Sequence, residues 1–381
     1  MIRQPNLFAS LALLGIFGLS PGLLTAPANA QVKPVAGWSK VNGSTDECTS
    51  GVCTISGGAT SGSNLFHKLE KLNTVDSSGI TKLEIDNNTS TSIILSNIDS
   101  YGSKLSKPLE VLGSKADITL LSPGGIDIYD GFGTENIGSL ALSTADKIII
   151  GSSIFDSNNT TLEQAKNLAG TVDYTNLQSL SVPNKEIDIE VSENLTIDSN
   201  LFLISEYVDI DPNNDPAITI NGNLNIYGPS EIKDTTLTVG SLNIKNEGNA
   251  QQTEGIKIHG STVNSVGNMI LEGGPLDVLQ STVKADSLVV DAPTFIDDST
   301  LTVGSLNIKG EGNAQQTAGI KIYGSTLNSV GDIVFDGKGM DESSTDALTD
   351  NLAIEVYSSK IESTNGSIAI NGVGGSGNGV N

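Results

Sequence analysis

Two cysteines are the residues whose type and spacing most directly indicate chemistry. Cys48 and Cys53 are the only cysteines of the 381-residue chain, and they enclose the short segment TSGV. An even number of cysteines predicts a disulfide wherever the compartment is oxidising, and this spacing would join the two ends of a hairpin. Zinc is the alternative, but two thiols without a nearby histidine cannot complete a tetrahedral shell. The sequence therefore predicts a Cys48–Cys53 disulfide.

An acidic run, DIDPNNDP, is the candidate cation site. Its polar residues fall at the first, third, fifth and seventh positions of an EF-hand calcium loop; these are Asp209, Asp211, Asn213 and Asp215. The sixth position is Asn214 rather than glycine, and the twelfth is Ile220, which offers no bidentate carboxylate. An acidic, solvated turn is the favoured interpretation, and calcium binding stays open.

Residues that could carry out catalysis are scarce. The histidines are His67 and His259, and no P-loop, GxSxG or HExxH motif occurs. Polysaccharide hydrolases need two carboxylates placed across the scissile bond, whereas we expect the acidic residues here to lie dispersed in turns. Arg3 is the single arginine, so lyase chemistry that depends on arginine has no residue to use elsewhere in the chain. We predict no catalytic residue, no cofactor, no metal and no enzyme activity.

The charge of the chain bounds its partners. The formal net charge is −24 and arginine is absent after Arg3. Nucleic-acid binding depends on cationic contacts to phosphate and on arginine contacts to guanine, so we exclude that class. A strongly negative chain favours a soluble, self-repelling protein.

An internal repeat indicates which elements position these residues. Residues 234–273 and 298–337 align without a gap at an offset of 64, and 30 of the 40 positions are identical. Apolar positions stay apolar between the copies, as where Leu271 becomes Phe335. A fixed period is typical of a stacked architecture. A tandem pair of small β-domains is the alternative, but 64 residues with few aromatics would give a marginal core.

Each copy carries the pattern of short, half-buried strands. Leu237 and Val239 alternate with threonines, and Ile256 and Ile258 alternate with polar residues before Gly260. Period-two alternation interrupted by Gly, Asn and Ser predicts strands. Sixty-four residues divide into three coils of about 21 residues, a suitable length for one turn of a parallel β-helix. We predict an all-β fold: a single-stranded, right-handed parallel β-helix of the pectin-lyase type with an N-terminal cap.

Two other segments depart from this pattern. The sequence TTLEQAKNLAG predicts a short helix over residues 160–170, with Thr160 and Glu163 as a capping box and Gly170 as its stop. Residues 373–381 are rich in glycine, and we expect a flexible tail there.

Residues 1–30 have the pattern of a secretory signal peptide. Arg3 supplies the positive charge, an apolar region covers residues 11–24, and Ala28-Asn29-Ala30 forms a cleavage site before Gln31. A transmembrane anchor is the alternative, but the apolar run is short and interrupted by Ser-Pro-Gly. We therefore expect removal of residues 1–30 and no membrane span in the mature chain.

Two motifs resemble those of a known family. The sequence GSNLFH contains Asn64, Leu65, Phe66 and His67. It resembles the entry motif of the two-partner secretion domain of filamentous haemagglutinin-like exoproteins. The segment ADITLLSPGGIDIYD, residues 116–130, resembles the family segment that contains an Asn-Pro-Asn-Gly turn. Here the turn reads Ser122, Pro123, Gly124 and Gly125; serine can still form a side-chain-to-backbone turn bond, whereas the asparagine side chains of the family turn are absent.

The resemblance implies a domain organisation and a partner. Residues 31–162 would form the two-partner secretion domain, at the capped start of the β-helix, and residues 163–372 would continue its coils. The partner implied is an outer-membrane β-barrel transporter with periplasmic recognition domains, which would read the Asn64–His67 motif. Leu65 and Phe66 packing in a cap strand, with His67 hydrogen-bonded, is the structural alternative for these individual residues.

The resemblance also implies a function and a location. The chain would be an exoprotein or adhesin that is secreted or displayed at the cell surface via the periplasm, with a host or cell-surface glycan as a further possible partner. A secreted structural or carbohydrate-binding β-helix without a dedicated transporter is the alternative. A polysaccharide-acting enzyme is a third.

Overall fold

The chain folds into a parallel β-helix with an N-terminal cap, as the sequence predicts. The computed structural model describes residues 30–75, 79–87, 89–173, 185–246, 254–313, 318–340 and 352–375. The signal-peptide prediction therefore falls outside the described residues, apart from Ala30. In the described part of the chain no helix is long and apolar enough to cross a membrane.

Short strands account for nearly all of the regular structure. The first part of the chain contains β1 (Gln31–Pro34), β2 (Ser39–Val41), β3 (Gly51–Gly57), β4 (Ala59–Ser61), β5 (Asn64–Asn73), β6 (Ile80–Asp86), β7 (Ser92–Asn97), β8 (Ser103–Leu105), β9 (Pro108–Leu112), β10 (Ala116–Leu121), β11 (Ile126–Tyr129), β12 (Gly133–Glu135), β13 (Ile137–Ser143), β14 (Lys147–Ile150), β15 (Ser153–Asp156), α1 (Leu162–Ala165) and β16 (Val172–Asp173). The second part contains β17 (Glu186–Glu190), β18 (Leu195–Ile197), β19 (Asn200–Ile204), β20 (Tyr207–Ile210), β21 (Ala217–Ile220), β22 (Leu224–Tyr227), β23 (Ser230–Lys233), β24 (Thr236–Val239), β25 (Leu242–Asn246), β26 (Ile256–His259), β27 (Thr262–Ser265), β28 (Asn268–Gly273), β29 (Leu276–Leu279), β30 (Thr282–Asp291), β31 (Thr294–Asp297), β32 (Thr300–Glu311), β33 (Ile320–Tyr323), β34 (Thr326–Ser329), β35 (Ile333–Lys338), β36 (Ile354–Tyr357), β37 (Lys360–Ser363) and β38 (Ile368–Val373).

Strands of successive coils form three parallel stacks. Stack A contains β5 (its end), β8, β11, β17, β20, β23, β26, β29, β31, β33 and β36. Stack B contains β3, β6, β9 and β12, then β18, β21, β24, β27, β30, β32, β34 and β37. Stack C contains β5 (its start), β7, β10, β13, β19, β22, β25, β28, β30, β32, β35 and β38.

The core is a set of aliphatic columns between the three stacks. Because side chains alternate along a strand, one face of each strand points inward, and in-register pairing places like positions above one another. One inward column of stack A consists of fully buried aliphatic residues, namely Ile128, Ile189, Ile210, Ile232, Ile258, Val278, Ile296 and Ile322. Each such side chain stabilises the fold by about 1.5–3 kcal/mol relative to exposure.

The 64-residue repeat comprises three coils of unequal length. At the corner between stacks A and B, Ser261, Ser281, Ser299 and Ser325 follow one another at spacings of 20, 18 and 26 residues. In each step a serine hydroxyl accepts the backbone N–H of the preceding serine at 3.1–3.2 Å. The predicted three coils are present, but equal coils of about 21 residues are wrong. The longer coils hold residues 247–253 and 314–317, which lie outside the described residues.

Each stack ends at the N-terminal side in an antiparallel strand, and these three strands form the cap. β1 pairs with the end of β5, β4 pairs with the start of β5, and β2 pairs with β3. Val32 and Ala59 from the cap are buried. The cap therefore covers strand edges that would otherwise be free to recruit other chains.

A module of residues 147–173 packs against the outer face of stack C. β15 and β16 pair with the two edges of β14, and the module contributes Ile148, Phe155 and Ala165 to a second buried cluster. The predicted helix over residues 160–170 is shorter in the structure: it covers Leu162–Ala165, Thr161 and Gln164 form the capping box, and it ends well before Gly170. The Thr160 hydroxyl is engaged elsewhere, since it accepts the Asp156 N–H at 2.8 Å. The predicted domain boundary at residue 162 stays a prediction and falls inside this module; stack C continues past the module from β13 to β19.

Candidate recognition site at the N-terminal end

The Asn64–His67 motif begins β5, the strand on which stack C is built. Asn64, Leu65, Phe66 and His67 are all buried, with exposed fractions of 1% or less. Alternation sends Leu65 into the central core and Phe66 into the outer cluster beneath the module. β5 therefore has no solvated face at this point, and a partner could contact these side chains only when this part of the chain is unfolded.

Phe66 holds the module against the helix through aromatic packing. Its ring stacks on Phe155, with 5.4 Å between centroids and 26° between planes. Trp38 meets Phe155 edge-on at 6.3 Å. The contact joins β5, the cap region and the module, so the motif links three parts of the N-terminal end.

Asn64 forms a second link to the module. Its Nδ2 donates to the carbonyl oxygens of Gly170 at 2.9 Å and Leu168 at 3.3 Å. A buried side-chain amide needs such partners, because an unpaired polar group in the interior costs about 1–3 kcal/mol. Asn64 thus fixes the return of the chain after α1.

His67 lies in the interior with a single side-chain partner. Its Nδ1 is 3.1 Å from the Ser39 hydroxyl, which also accepts the Lys68 N–H at 3.2 Å. No partner contacts Nε2 in the described residues. Burial lowers the pKa of His67 to about 4, so the imidazole is neutral at physiological pH.

Lys68 is the member of this site that the sequence did not indicate. Only 5% of the residue is exposed; its Nζ donates to Thr160 O at 3.3 Å and lies 5.0 Å from the centre of the Trp38 ring. Burial lowers its pKa, and the charge of Asp156 partly opposes that shift. A cation over an aromatic ring in a desolvated site is stabilising. The signal that could have found it is alternation, since Lys68 shares the outward side of β5 with Phe66.

The Ser122–Gly125 turn follows β10, two strands from β5 in stack C. The Gly125 N–H donates to Ser122 O at 3.0 Å, and the Ser122 hydroxyl donates to Gly125 O at 2.8 Å. A β-carbon on Gly124 would lie 2.3 Å from Asp99 O and from Gly102 N. The turn thus retains a serine side-chain bond, and its glycine permits close contact with the neighbouring coil. Ser122 is fully buried, so it presents no side chain to a partner of the folded protein.

A disulfide closes the loop that precedes β3. Cys48 and Cys53 are joined, with 5.9 Å between their Cα atoms. Cys48 also exchanges two backbone hydrogen bonds of 2.9 Å with Val32 of the cap. The covalent bond therefore connects cap strand β1, through the bridge at Cys48, to the first strand of stack B.

Acidic residues form a column on the outer face of stack A, and the expectation that they lie dispersed in turns is wrong. Asp127, Asp188 and Asp209 occupy the same register position on β11, β17 and β20. A groove of about 350 Å³ beside them is lined by Glu186, Asp188, Ile189, Glu190, Asp209, Asp211 and Asn213. Like charges directly opposite one another on neighbouring strands are destabilising.

Burial and mutual repulsion raise the pKa values of two aspartates in the acidic column. Burial, followed by the charges of Glu186 and Asp127, raises the pKa of Asp188 to about 7. Burial and the charge of Asp211 raise the pKa of Asp209 to about 6. Near neutral pH the column therefore holds carboxyl groups in both protonation states.

The candidate calcium loop contributes to this groove without enclosing a site. Asp211 pairs with Lys233 at 2.7 Å, and the Asn213 N–H donates to Val191 O at 2.7 Å. In the described residues no group of three or more His, Cys, Asp and Glu side chains could hold a metal ion. The EF-hand spacing in the sequence thus corresponds to a strand end followed by a turn.

Comparisons with known proteins give a distant structural similarity. No protein-family model matches the sequence, and no curated protein matches it. Among solved structures, the chain is similar to a crystal structure of a filamentous hemagglutinin secretion domain, with a TM-score of 0.39 and 13% sequence identity. The alignment covers 90% of this chain and 99% of that chain.

Proposed function

We propose that this chain is an exoprotein of a two-partner secretion system, exported through the periplasm and displayed at or released from the cell surface. A signal peptide in residues 1–30 takes the chain across the inner membrane. An outer-membrane β-barrel transporter with periplasmic recognition domains then reads the Asn64–His67 motif. Outside the cell, the β-helix folds and acts in adhesion.

The observation that supports this proposal is the position of the motif. Asn64–His67 starts the first strand of stack C, and every later strand of that stack is added upon it in register. The motif is hidden in the folded protein and exposed in the unfolded chain. A transporter that binds it would therefore select chains that have not yet folded, which is the state able to pass through a pore.

The fold supports the export step energetically. Each coil contacts mainly its neighbours, so folding can propagate coil by coil once the cap has formed. Each added coil buries several inward aliphatic side chains, at about 1.5–3 kcal/mol each. Folding on the outer side would oppose return of the chain, and no nucleotide cofactor is needed.

Secretion and binding assays with Phe66→Asp test the proposal. In cells that also express a two-partner transporter able to secrete the wild type, the variant should be missing from the medium. Urea-unfolded Phe66→Asp should also fail to bind the transporter's periplasmic domains, because recognition would depend on the motif. Phe335→Asp is the matched control: Phe335 is equally buried but far from the motif, so its unfolded chain should bind as wild type does. Equal binding by both variants would remove the basis for recognition by this motif.

The alternatives predict different results. A structural or carbohydrate-binding β-helix without a transporter predicts retention on glycan beads and no transporter gene nearby. A polysaccharide-acting enzyme is favoured by one observation, the paired carboxyl groups of Asp188 and Asp209 in a groove. For that function, loss of polysaccharide viscosity should occur with the wild type and disappear with Asp188→Asn. We propose that no such activity will be found.

A further inference from the structure

The last described strands, β36, β37 and β38, expose apolar side chains at positions that earlier coils bury. Ile368 and Ile370 are 45% and 54% exposed, whereas Ile333 and Phe335, their neighbours in the preceding coil, are fully buried. Val356 in stack A is 42% exposed. These positions belong to the inward columns, so the end of the core itself faces solvent. An exposed apolar surface of this kind marks an interaction site.

The backbone of the same strands is open on one side. β36, β37 and β38 pair with β33, β34 and β35, and within the described residues they have no ladder partner on their other edge. Unpaired strand edges recruit further strands. At the opposite end of the helix the equivalent edges are occupied by β1, β2 and β4. A head-to-tail joint would therefore meet the antiparallel cap strands instead of the next strand of each parallel stack.

We propose that a second copy of this chain covers this end, in a two-fold, tail-to-tail dimer joined by antiparallel strand pairs. A two-fold interface must be self-complementary, because the same surface contributes from both sides. The charges of β37 meet this requirement. Lys360 and Glu362 lie on its outward side, 65% and 54% exposed, and flank the inward Ile361. Within one copy the two side chains pair at 2.7 Å, and in the dimer they would exchange that partner for the same pair across the joint.

The register of the dimer follows from this pattern. With Ile361 on the two-fold axis, Lys360 of each copy faces Glu362 of the other. Opposite charges directly across an antiparallel pair are stabilising, and like charges are destabilising. β36 of one copy then pairs with β38 of the other, which places the exposed Val356, Ile368 and Ile370 of both copies on the inner side of the joint. The two cores become continuous.

Sedimentation velocity of the purified chain tests the proposal. The wild type should sediment as a dimer. Lys360→Glu should weaken dimerisation by about tenfold or more, because it places an acidic group opposite Glu362 of the second copy. Adding Glu362→Lys to that variant should restore the dimer, since the two charges are exchanged on both copies. Because the exchange also restores the Lys360–Glu362 pair within one strand, the specific test is a mixture of the two single variants. Lys360→Glu and Glu362→Lys chains each lack that pair, and each should dimerise with the other but not with itself.

Two further variants distinguish the apolar contact of the joint from a nonspecific effect of added negative charge. Ile370→Lys should abolish the dimer even at high salt, because it places a charge in the apolar joint. Thr302→Glu adds an acidic group at the register position of Glu362, two coils away, and should leave the dimer unchanged. A wild-type chain that stays monomeric overturns the proposal, as does a dimer insensitive to Lys360→Glu or to Ile370→Lys. A dimer that appears only after removal of residues 376–381 also overturns it, because the chain's own tail would then cover the end.

Discussion

The two ends of the β-helix solve the same problem in opposite ways. Both ends interrupt three parallel stacks and leave three strand edges. At the N-terminal end, β1, β2 and β4 pair with those edges, and the module of residues 147–173 adds a second apolar cluster outside stack C. At the other end of the described chain, the last three strands keep their outer edges unpaired and expose aliphatic side chains.

The difference shows that the N-terminal end depends on particular residues, whereas the coils depend only on a repeated pattern. The coils between the ends need only an alternating pattern and turns, because each coil is templated by the one before it. The N-terminal end has no preceding coil. It uses the distinctive residues of the chain instead, including the disulfide, the buried histidine and lysine, and the Phe66–Phe155 stack.

Truncation of an apolar side chain should distinguish the two ends most strongly. Phe66→Ala should lower the free energy of unfolding by about 3–5 kcal/mol, since it leaves a cavity between β5 and the module. Ile370→Ala should cost about 1 kcal/mol, because more than half of that side chain is already in water. Urea unfolding of the two variants gives the comparison. Equal losses would mean that the N-terminal end is no better packed than the open end.

The sequence predicted the repetitive part of the molecule well, because its information is local. Alternation identifies a strand, and the 64-residue offset shows that coils of like pattern are stacked. The acidic column could not be predicted in this way. The module inserted between β13 and β17 separates Asp127 from Asp188 in sequence, and the two become neighbours only because the chain then returns to stack A. The alternation pattern within one coil does not show which coil will lie next to it.

The sequence predicted where the N-terminal site lies, but it did not predict the contacts that surround its side chains. The motif at Asn64–His67 indicated where the helix begins. The burial of Lys68 depends on Trp38 and Thr160, one from the cap region and one from the module. Contacts between side chains so distant in sequence are set by tertiary packing, which single-sequence patterns do not contain.

Acidification should weaken the capped end through His67. The pKa of His67 is lowered to about 4, against 6.5 in an unfolded chain, so folding favours the neutral ring. Its contribution is complete above pH 6.5 and is lost as the pH falls from 6.5 through 4, by about 3 kcal/mol in total. Hydrogen exchange of β1, β4 and β5 should accelerate over this range, and His67→Gln should flatten that dependence. Exchange in β36–β38 serves as the internal control, and a matching acceleration there would point to global unfolding.

Reduction of the disulfide should loosen the same end by a smaller amount. Closing a loop this short is expected to stabilise by about 2 kcal/mol. Dithiothreitol should therefore speed hydrogen exchange in β1, β2 and β3 while leaving the stacks beyond β17 unchanged. The variant with both Cys48→Ser and Cys53→Ser should already show that exchange and should not respond to the reductant. A response in the variant would show that the reagent acts elsewhere.

The smallest expected effect lies between the two ends and has the opposite pH dependence from His67. The pKa of Asp188 is raised to about 7 by burial and by the neighbouring charges of Glu186 and Asp127, whereas an unfolded aspartate titrates near 3.8. Folding therefore favours the protonated form, and ionisation makes Asp188 increasingly destabilising from pH 4 to pH 7. Asp188→Asn should raise the free energy of unfolding at pH 7 by about 1 kcal/mol, allowing for the partial exposure of the site, and should have no effect near pH 3. Added salt should reduce this gain in stability, because part of it comes from removing repulsion between charges that salt screens.

The control is Asp291→Asn, at an exposed position, which should change stability by less than about 0.5 kcal/mol at any pH. If the two variants behave alike, the stacked carboxylates do not repel one another measurably, and the charges of the middle coils have no effect on stability to set against that of His67.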